Sequence, residues 1–187
     1  DGDLTQLRKA GHTSVVAARL DAGDVQEDLA AERIAAALCS EGLRAQAPFT
    51  GRANLVATVA GVLAFDAEAL QRLNAIDERV TVATLRDGER VESGQLVATI
   101  KIIPYAVPGA VCDAVLTIAS AAQISLATFK PKTVGLILTS LTQTKPSVIE
   151  KRTRVIADRV TELGGRLSDP VVVTHDTASL AKAIGAA

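Results

Sequence analysis

Thr133-Val134-Gly135-Leu136-Ile137-Leu138-Thr139 is the stretch on which the reading of the fold turns. A near-continuous apolar run of this kind is typical of a strand buried on both faces in a parallel sheet. A polar loop follows, from Thr139 to Lys145, and then Pro146 opens a helix at a position where proline is tolerated. Val148, Ile149, Val155, Ile156, Val160 and Leu163 recur at helical spacing, and Gly164-Gly165 stops the helix. Pro170 to Thr174 predicts a second strand, and Thr177 to Ile184 a second helix. The order β-α-β-α is the opening of a three-layer α/β domain. With only two strands and two helices, most of its sheet edge and one strand face stay uncovered.

Working back from this run, Lys130-Pro131-Lys132 reads as a linker, so the chain divides into residues 1–130 and 131–187. The first part reads as a mixed α+β module. Asp3 to Gly11 predicts a short helix, with Asp3 as N-cap and Gly11 as the stop. Thr13 to Leu20, rich in Val and Ala, predicts a strand. Asp24 stands three residues before Glu27, a capping-box spacing, ahead of a helix from Val25 to about Cys39. Asn54 to Phe65 predicts a strand broken by a bulge at Gly61. Asp66 opens a short helix through Ala75. Arg79 to Leu85 alternates as a strand, and Arg86-Asp87-Gly88-Glu89 reads as a hairpin-type turn. Leu96 to Ile103 predicts a strand, Pro108 starts a helix to about Ala122, and Ile124 to Phe129 predicts a short strand. The fold class expected is α/β: the mixed module, then an incomplete three-layer domain.

Composition narrows the function. Lys+Arg number 20 against 21 Asp+Glu, so the basic excess of a nucleic-acid-binding domain is missing. Aromatics are only 2%, which leaves no stacking platform for single strands and requires an aliphatic core. Apolar runs fall far short of the ~18 residues of a membrane helix, and no signal peptide opens the chain. The expectation is a cytoplasmic protein with Cys39 and Cys112 reduced, as small buried hydrophobes. The chain holds no Met and starts at Asp1, which implies a trimmed chain or a segment of a longer one.

Two stretches are specific enough to suggest a family: Phe49-Thr50-Gly51-Arg52-Ala53-Asn54-Leu55 and Val97-Ala98-Thr99-Ile100-Lys101-Ile102-Ile103-Pro104-Tyr105-Ala106-Val107-Pro108. Asp24-Val25-Gln26-Glu27-Asp28 before an Ala-rich helix, and Val134-Gly135-Leu136-Ile137-Leu138-Thr139 followed by Lys145-Pro146-Ser147-Val148, fit the same pattern. Together they resemble the molybdopterin-binding proteins of molybdenum-cofactor biosynthesis, relatives of the molybdotransferase and adenylyltransferase enzymes. The resemblance implies a pterin pocket at the C-terminal ends of parallel strands, where open α/β sheets place their ligands. It implies molybdopterin as the cofactor. For an enzyme, it implies a nucleotidyl or metal transferase with Mg²⁺ as helper. The family pattern continues with a third strand, a glycine-rich turn and an acidic residue, whereas this sequence ends at Gly185-Ala186-Ala187. A non-catalytic carrier, a regulatory module or a homo-oligomerisation module are the competing readings.

The candidate binding residues follow from these segments. Thr139, Ser140, Lys145 and Ser147 flank a helix N-terminus, where free N–H groups and the helix dipole suit an anion such as the pterin phosphate. The alternative is an ordinary solvated loop. Arg52 and Asn54, beside Gly51, form either a bidentate anion clamp or a turn bonded to backbone carbonyls. Lys101 interrupts an apolar strand and points either to a pocket or to solvent. Asp24, Glu27 and Asp28 are carboxylates that could hold Mg²⁺, but helix capping accounts for them with less machinery. His12 and His175 lie in different parts of the chain without Cys or His at metal spacing, which argues against a zinc site. His175-Asp176 reads as a cap for the last helix. No nucleophile elbow, Walker-type loop or Gly-x-Gly-x-x-Gly occurs.

Overall fold

The computed structural model describes residues 2–187, and Asp1 lies outside it. The chain is mixed α/β. A first helix, α1 (Gly2–Lys9), ends at Gly11, whose φ of 87° suits only a residue without Cβ, and Asp3 sits within its first turn rather than before it. Residues 13–20, expected as a strand, form neither helix nor strand, because no neighbouring strand lies beside them.

Strand β1 (Asp24–Gln26) then pairs antiparallel with β8 (Ala106–Pro108). This pairing moves the start of the next helix. Helix α2 (Glu27–Leu38) is capped by the Gln26 side chain, which accepts from the N–H groups of Asp28 and Leu29, while Asp24 instead accepts from the Asp21 N–H. The capping box read at Asp24 and Glu27 is thus not formed: strand pairing holds Asp24 in extended backbone two residues before the N-cap. Strands β2 (Leu43–Ala45), β3 (Arg52–Ala57), β5 (Val80–Thr84) and β7 (Leu96–Ile102) form a four-stranded antiparallel sheet in the order β2-β3-β7-β5. Strands β4 (Gly61–Ala64), β6 (Arg90–Val91) and β9 (Ser125–Thr128) form a second sheet in the order β6-β4-β9. The run from Asn54 to Phe65 is therefore two strands in two sheets. Gly61 begins β4, where a Cβ would meet the Ala127 carbonyl at 2.8 Å, and the bulge falls instead at Leu55/Val56. The Asp87-Gly88 turn likewise does not close a hairpin, since β6 pairs with β4 and not with β5.

Helices α2 and α3 (Ala67–Asn74) cover the large sheet, and α4 (Gly109–Ala121) packs against both helices. Ala30, Ala31, Ile34, Ala35 and Leu38 of α2 meet Cys112, Val115 and Ala119 of α4 and the inward row Leu55, Ile100 and Ile102 in one aliphatic core. Small Ala side chains let these elements approach closely. Cys112 is buried and Cys39 half-buried, and both are free thiols whose pKa burial pushes up.

Past Leu126 no described residue is buried. Here β10 (Thr133–Val134) pairs parallel with β12 (Arg166–Leu167), and β11 (Ile137–Ser140) pairs parallel with β13 (Val171–Thr174). Helix α5 (Pro146–Glu162) crosses between the two strand runs, and α6 (Thr177–Gly185) follows. The long apolar run is interrupted because the second strand carries one extra residue: Thr133 partners Arg166, but Ile137 partners Val171. The register slips across Ser168-Asp169-Pro170, where Pro170 has no N–H to continue the ladder. One ion pair, Arg90 Nη1 to Glu162 Oε2 at 3.2 Å, ties α5 to β6. No described helix is long and apolar enough to cross a membrane.

Candidate functional site

The parallel register of β11 and β13 sets Ser140 opposite Thr174 and Thr139 opposite Val173, so the loops that leave both strands open at one end of the sheet. Between them lies an open crevice of about 610 Å³, lined by Ser140, Leu141, Thr142, Thr144, Val172, Val173, Thr174, His175 and Asp176. Four hydroxyls, an imidazole and a carboxylate converge there. A smaller hollow of about 250 Å³ adjoins it, lined by Thr139, His175, Asp176, Thr177 and Leu180.

The loop after β11 is shaped by its own hydroxyls. Leu141 N–H donates to Thr144 Oγ1 at 3.0 Å, and Thr144 N–H returns to the Leu141 carbonyl at 2.9 Å, which folds Leu141 to Thr144 into a tight turn. Lys145 is the N-cap of α5 but supplies no capping acceptor, and Pro146 has no N–H. The N-terminus of a 17-residue helix is thus left without a side-chain cap beside the crevice. The Lys145 ammonium has no protein partner among the described residues.

The loop after β13 is built the opposite way. Asp176 caps α6: its Oδ1 accepts from Ser179 N–H at 2.8 Å and its Oδ2 from Thr174 Oγ1 at 2.5 Å. The Ser179 amide first, and then the Thr174 and Ser179 hydroxyls, draw the Asp176 carboxyl down to about 2. A fixed negative charge therefore lines one wall at neutral pH. His175 Nδ1 stands 2.8 Å from Thr139 Oγ1, bridging the two strand ends.

Of the residues expected from sequence, Ser140 lines the crevice and Thr139 the adjoining hollow, while Lys145 marks the helix start. Ser147 lies elsewhere, in a groove with Leu136, Leu138, Val148 and Val155 on the flank of α5. Two residues on from the N-cap, the helix has already turned its side chain away. Arg52, Asn54 and Lys101 belong to the four-stranded sheet and do not line the crevice. Lys101 Nζ donates to the Thr50 carbonyl at 2.7 Å, and Asn54 bonds Thr99 and Gln46. Arg52 is the cross-strand neighbour of Lys101 and has no ion pair among the described residues. Of the three, only Lys101 reaches the adjoining turn by its side chain. Thr50 and Gly51 both have positive φ, at 48° and 69°, in the two-residue loop that brings Phe49 opposite Arg52. Gly51 N–H donates to Asp28 Oδ1 at 2.7 Å, so Asp28 tethers this turn.

Thr142, Thr174 and the Thr139–His175 contact were not singled out from sequence. The signal available was the pair of polar residues closing each strand run, but only the register shows that they face each other. Among the described residues, no group of three or more His, Cys, Asp or Glu side chains could hold a metal ion, so Asp24, Glu27 and Asp28 do not form a Mg²⁺ cluster. Comparison of the chain with protein-family models, with curated proteins and with solved structures gave no match in any of the three.

Proposed function

We propose that the crevice at the C-terminal ends of β11 and β13 binds a phosphate-bearing small molecule, a pterin of the molybdopterin type, in the cytoplasm. The observation that carries this reading is the uncapped N-terminus of α5 beside a hydroxyl-lined crevice. A helix N-terminus without a side-chain cap, with Lys145 next to it, attracts an anion. The ionised Asp176 on the opposite wall repels one, so the phosphate end belongs at α5. An amino-bearing ring then lies toward Asp176, which accepts hydrogen bonds. The resemblance of the Phe49–Leu55 and Val97–Pro108 stretches to molybdopterin-binding proteins supplies the pterin. Arg52, Asn54 and Lys101 lie in the four-stranded sheet and are not assigned to the ligand.

The test is a fluorescence titration of the chain with molybdopterin, alongside Lys145→Ala and Thr142→Ala. The reading expects saturable binding, weakened about tenfold by Lys145→Ala, as the loss of one charge-assisted contact implies. A folded chain that shows no saturable binding overturns it.

A further inference from the structure

We propose that Thr13–Leu20 is an exchange arm, which pairs as a strand with the open edge of β13 in a second copy of this chain. Two independent features lead to it: a strand-competent segment with nothing to pair with, and a strand edge with nothing on it.

The arm comes first. No hydrogen bond is made by any residue from Thr13 to Leu20, although His12 before it and Asp21 after it are both bonded. Val16 is 92% exposed, and Val15 and Leu20 are close to half exposed. In extended backbone, Ser14, Val16, Ala18 and Leu20 share one side and Thr13, Val15, Ala17 and Arg19 the other, so both sides are mainly apolar or small. Neither Gly nor Pro breaks it before Gly23.

The edge comes second. Val171 N–H bonds the Leu136 carbonyl and His175 N–H the Ser140 carbonyl, so these residues face β11. By the alternation of a parallel ladder, Val172 turns its N–H and C=O the other way, where no strand lies. Val171 and Val172 are about half exposed although they point to opposite faces. A two-stranded parallel pair is too small to be stable in water by itself, and a third strand on this edge relieves that. No charged residue interrupts Pro170 to Thr174, so the edge lacks the usual protection. The four-stranded sheet differs: on its edge strand β5, Asn74 bonds both the N–H and the C=O of Val82.

Charge favours the match. Arg19 is the one charge of the arm, and the charges flanking β13 are Asp169 and Asp176. The arm is tied to its own copy at its C-terminal end, where β1 pairs with β8, and makes no hydrogen bond to its own β13; the occupant assigned to the edge is the arm of a second copy. Reciprocal exchange gives a closed twofold dimer.

The mass of the full chain by light scattering across a concentration series tests this, with Val16→Asp and Val172 amide exchange beside it. The substitution falls on an exposed residue, so folding, checked by far-ultraviolet circular dichroism, is unaffected. The expected result is a concentration-dependent dimer, with Val172 exchange slowed on dimerisation and dimerisation weakened roughly tenfold or more by Val16→Asp, since a carboxylate is then placed in the strand face. A monomer at every concentration overturns the proposal. So does a dimer that Val16→Asp leaves intact, and so does a protected Val172 amide in a monomer, which would mean the arm folds back on its own copy.

Discussion

The elements from Asp24 to Thr128 and those from Thr133 to Gly185 are drawn from the same aliphatic alphabet, yet only the first set encloses a core. In the first, Ile34, Leu38, Leu55, Leu63 and Ile100 are fully buried, and an Asn74 amide seals the edge of β5. In the second, Val148, Val155, Val171 and Val172 remain well exposed, and α5 and α6 bury no residue. The difference is one of layers. Two helices on a four-stranded sheet, with a third packed against them, bury apolar side chains between layers, whereas two parallel strand runs with two helices have too little surface to cover one another. The buried core lies in the first region and the candidate crevice in the second, the part expected to open more readily.

The sharpest way to break this comparison is to cut into each region in turn. Ile100→Ala is expected to cost about 2–5 kcal/mol in urea unfolding, by transfer and cavity terms together. Val172→Ala, at a half-exposed site, is expected to cost less than about 1 kcal/mol, and equal losses would mean that the second region has a hidden core. Next come two glycines of like backbone. Gly51→Ala combines a φ of 69° with a Cβ that would meet Glu27 Oε2 at 2.5 Å and the Ile102 carbonyl at 2.8 Å, so a loss of about 2–3 kcal/mol is expected in thermal melts. Gly164→Ala has a φ of 72° but open space around it, and a loss of only about 1 kcal/mol is expected.

Smaller effects sharpen the picture at the element ends. Asn74→Ala leaves the outward N–H and C=O of Val82 unsealed, with an expected loss of about 1–2 kcal/mol and faster exchange of the Val82 amide. Asp66→Ala removes the side chain that accepts from Ala69 N–H at the start of α3, for about 1 kcal/mol. The smallest effect is in acid. The Asp176 carboxyl is held at about 2, below its ordinary value of 3.8, so its contribution is complete above that ordinary value and lost as pH falls through about 2. A carboxyl titration by NMR with its midpoint near 4 would show that the α6 cap is not formed in solution.

Much of the architecture could be read from particular residues. The Asp66 cap, the helix from Pro146 and the two parallel runs at Ile137 and Val171 are in place as expected, because each rests on a local cause: a capping oxygen, a proline at the first turn, a β-branched apolar run. What could not be read was pairing. Thr13–Leu20 has the pattern of a strand but no neighbour, Asn54–Phe65 divides between two sheets, and the Asp87-Gly88 turn joins strands that do not meet. The candidate site divided in the same way. Thr139, Ser140 and Lys145 stand in the strand-to-helix loop that the sequence marks, whereas Thr174 lies opposite Ser140 only through the β11–β13 register and His175 meets Thr139 across 36 residues, and Lys101 holds a backbone carbonyl.

By itself the sequence determined the local terms: which segments are helical, where they stop, that the core is aliphatic, and that a helix begins beside a hydroxyl-rich loop after a parallel strand. Only the tertiary structure decided the long-range terms: the one-residue slip at Ser168-Asp169-Pro170, the tethering of Gly51 by Asp28, the convergence of Ser140 with Thr174, and the lack of any buried residue past Leu126. The physical reason is that capping and propensity act over three or four residues and are written in the chain, whereas burial and register depend on which distant segments share a surface.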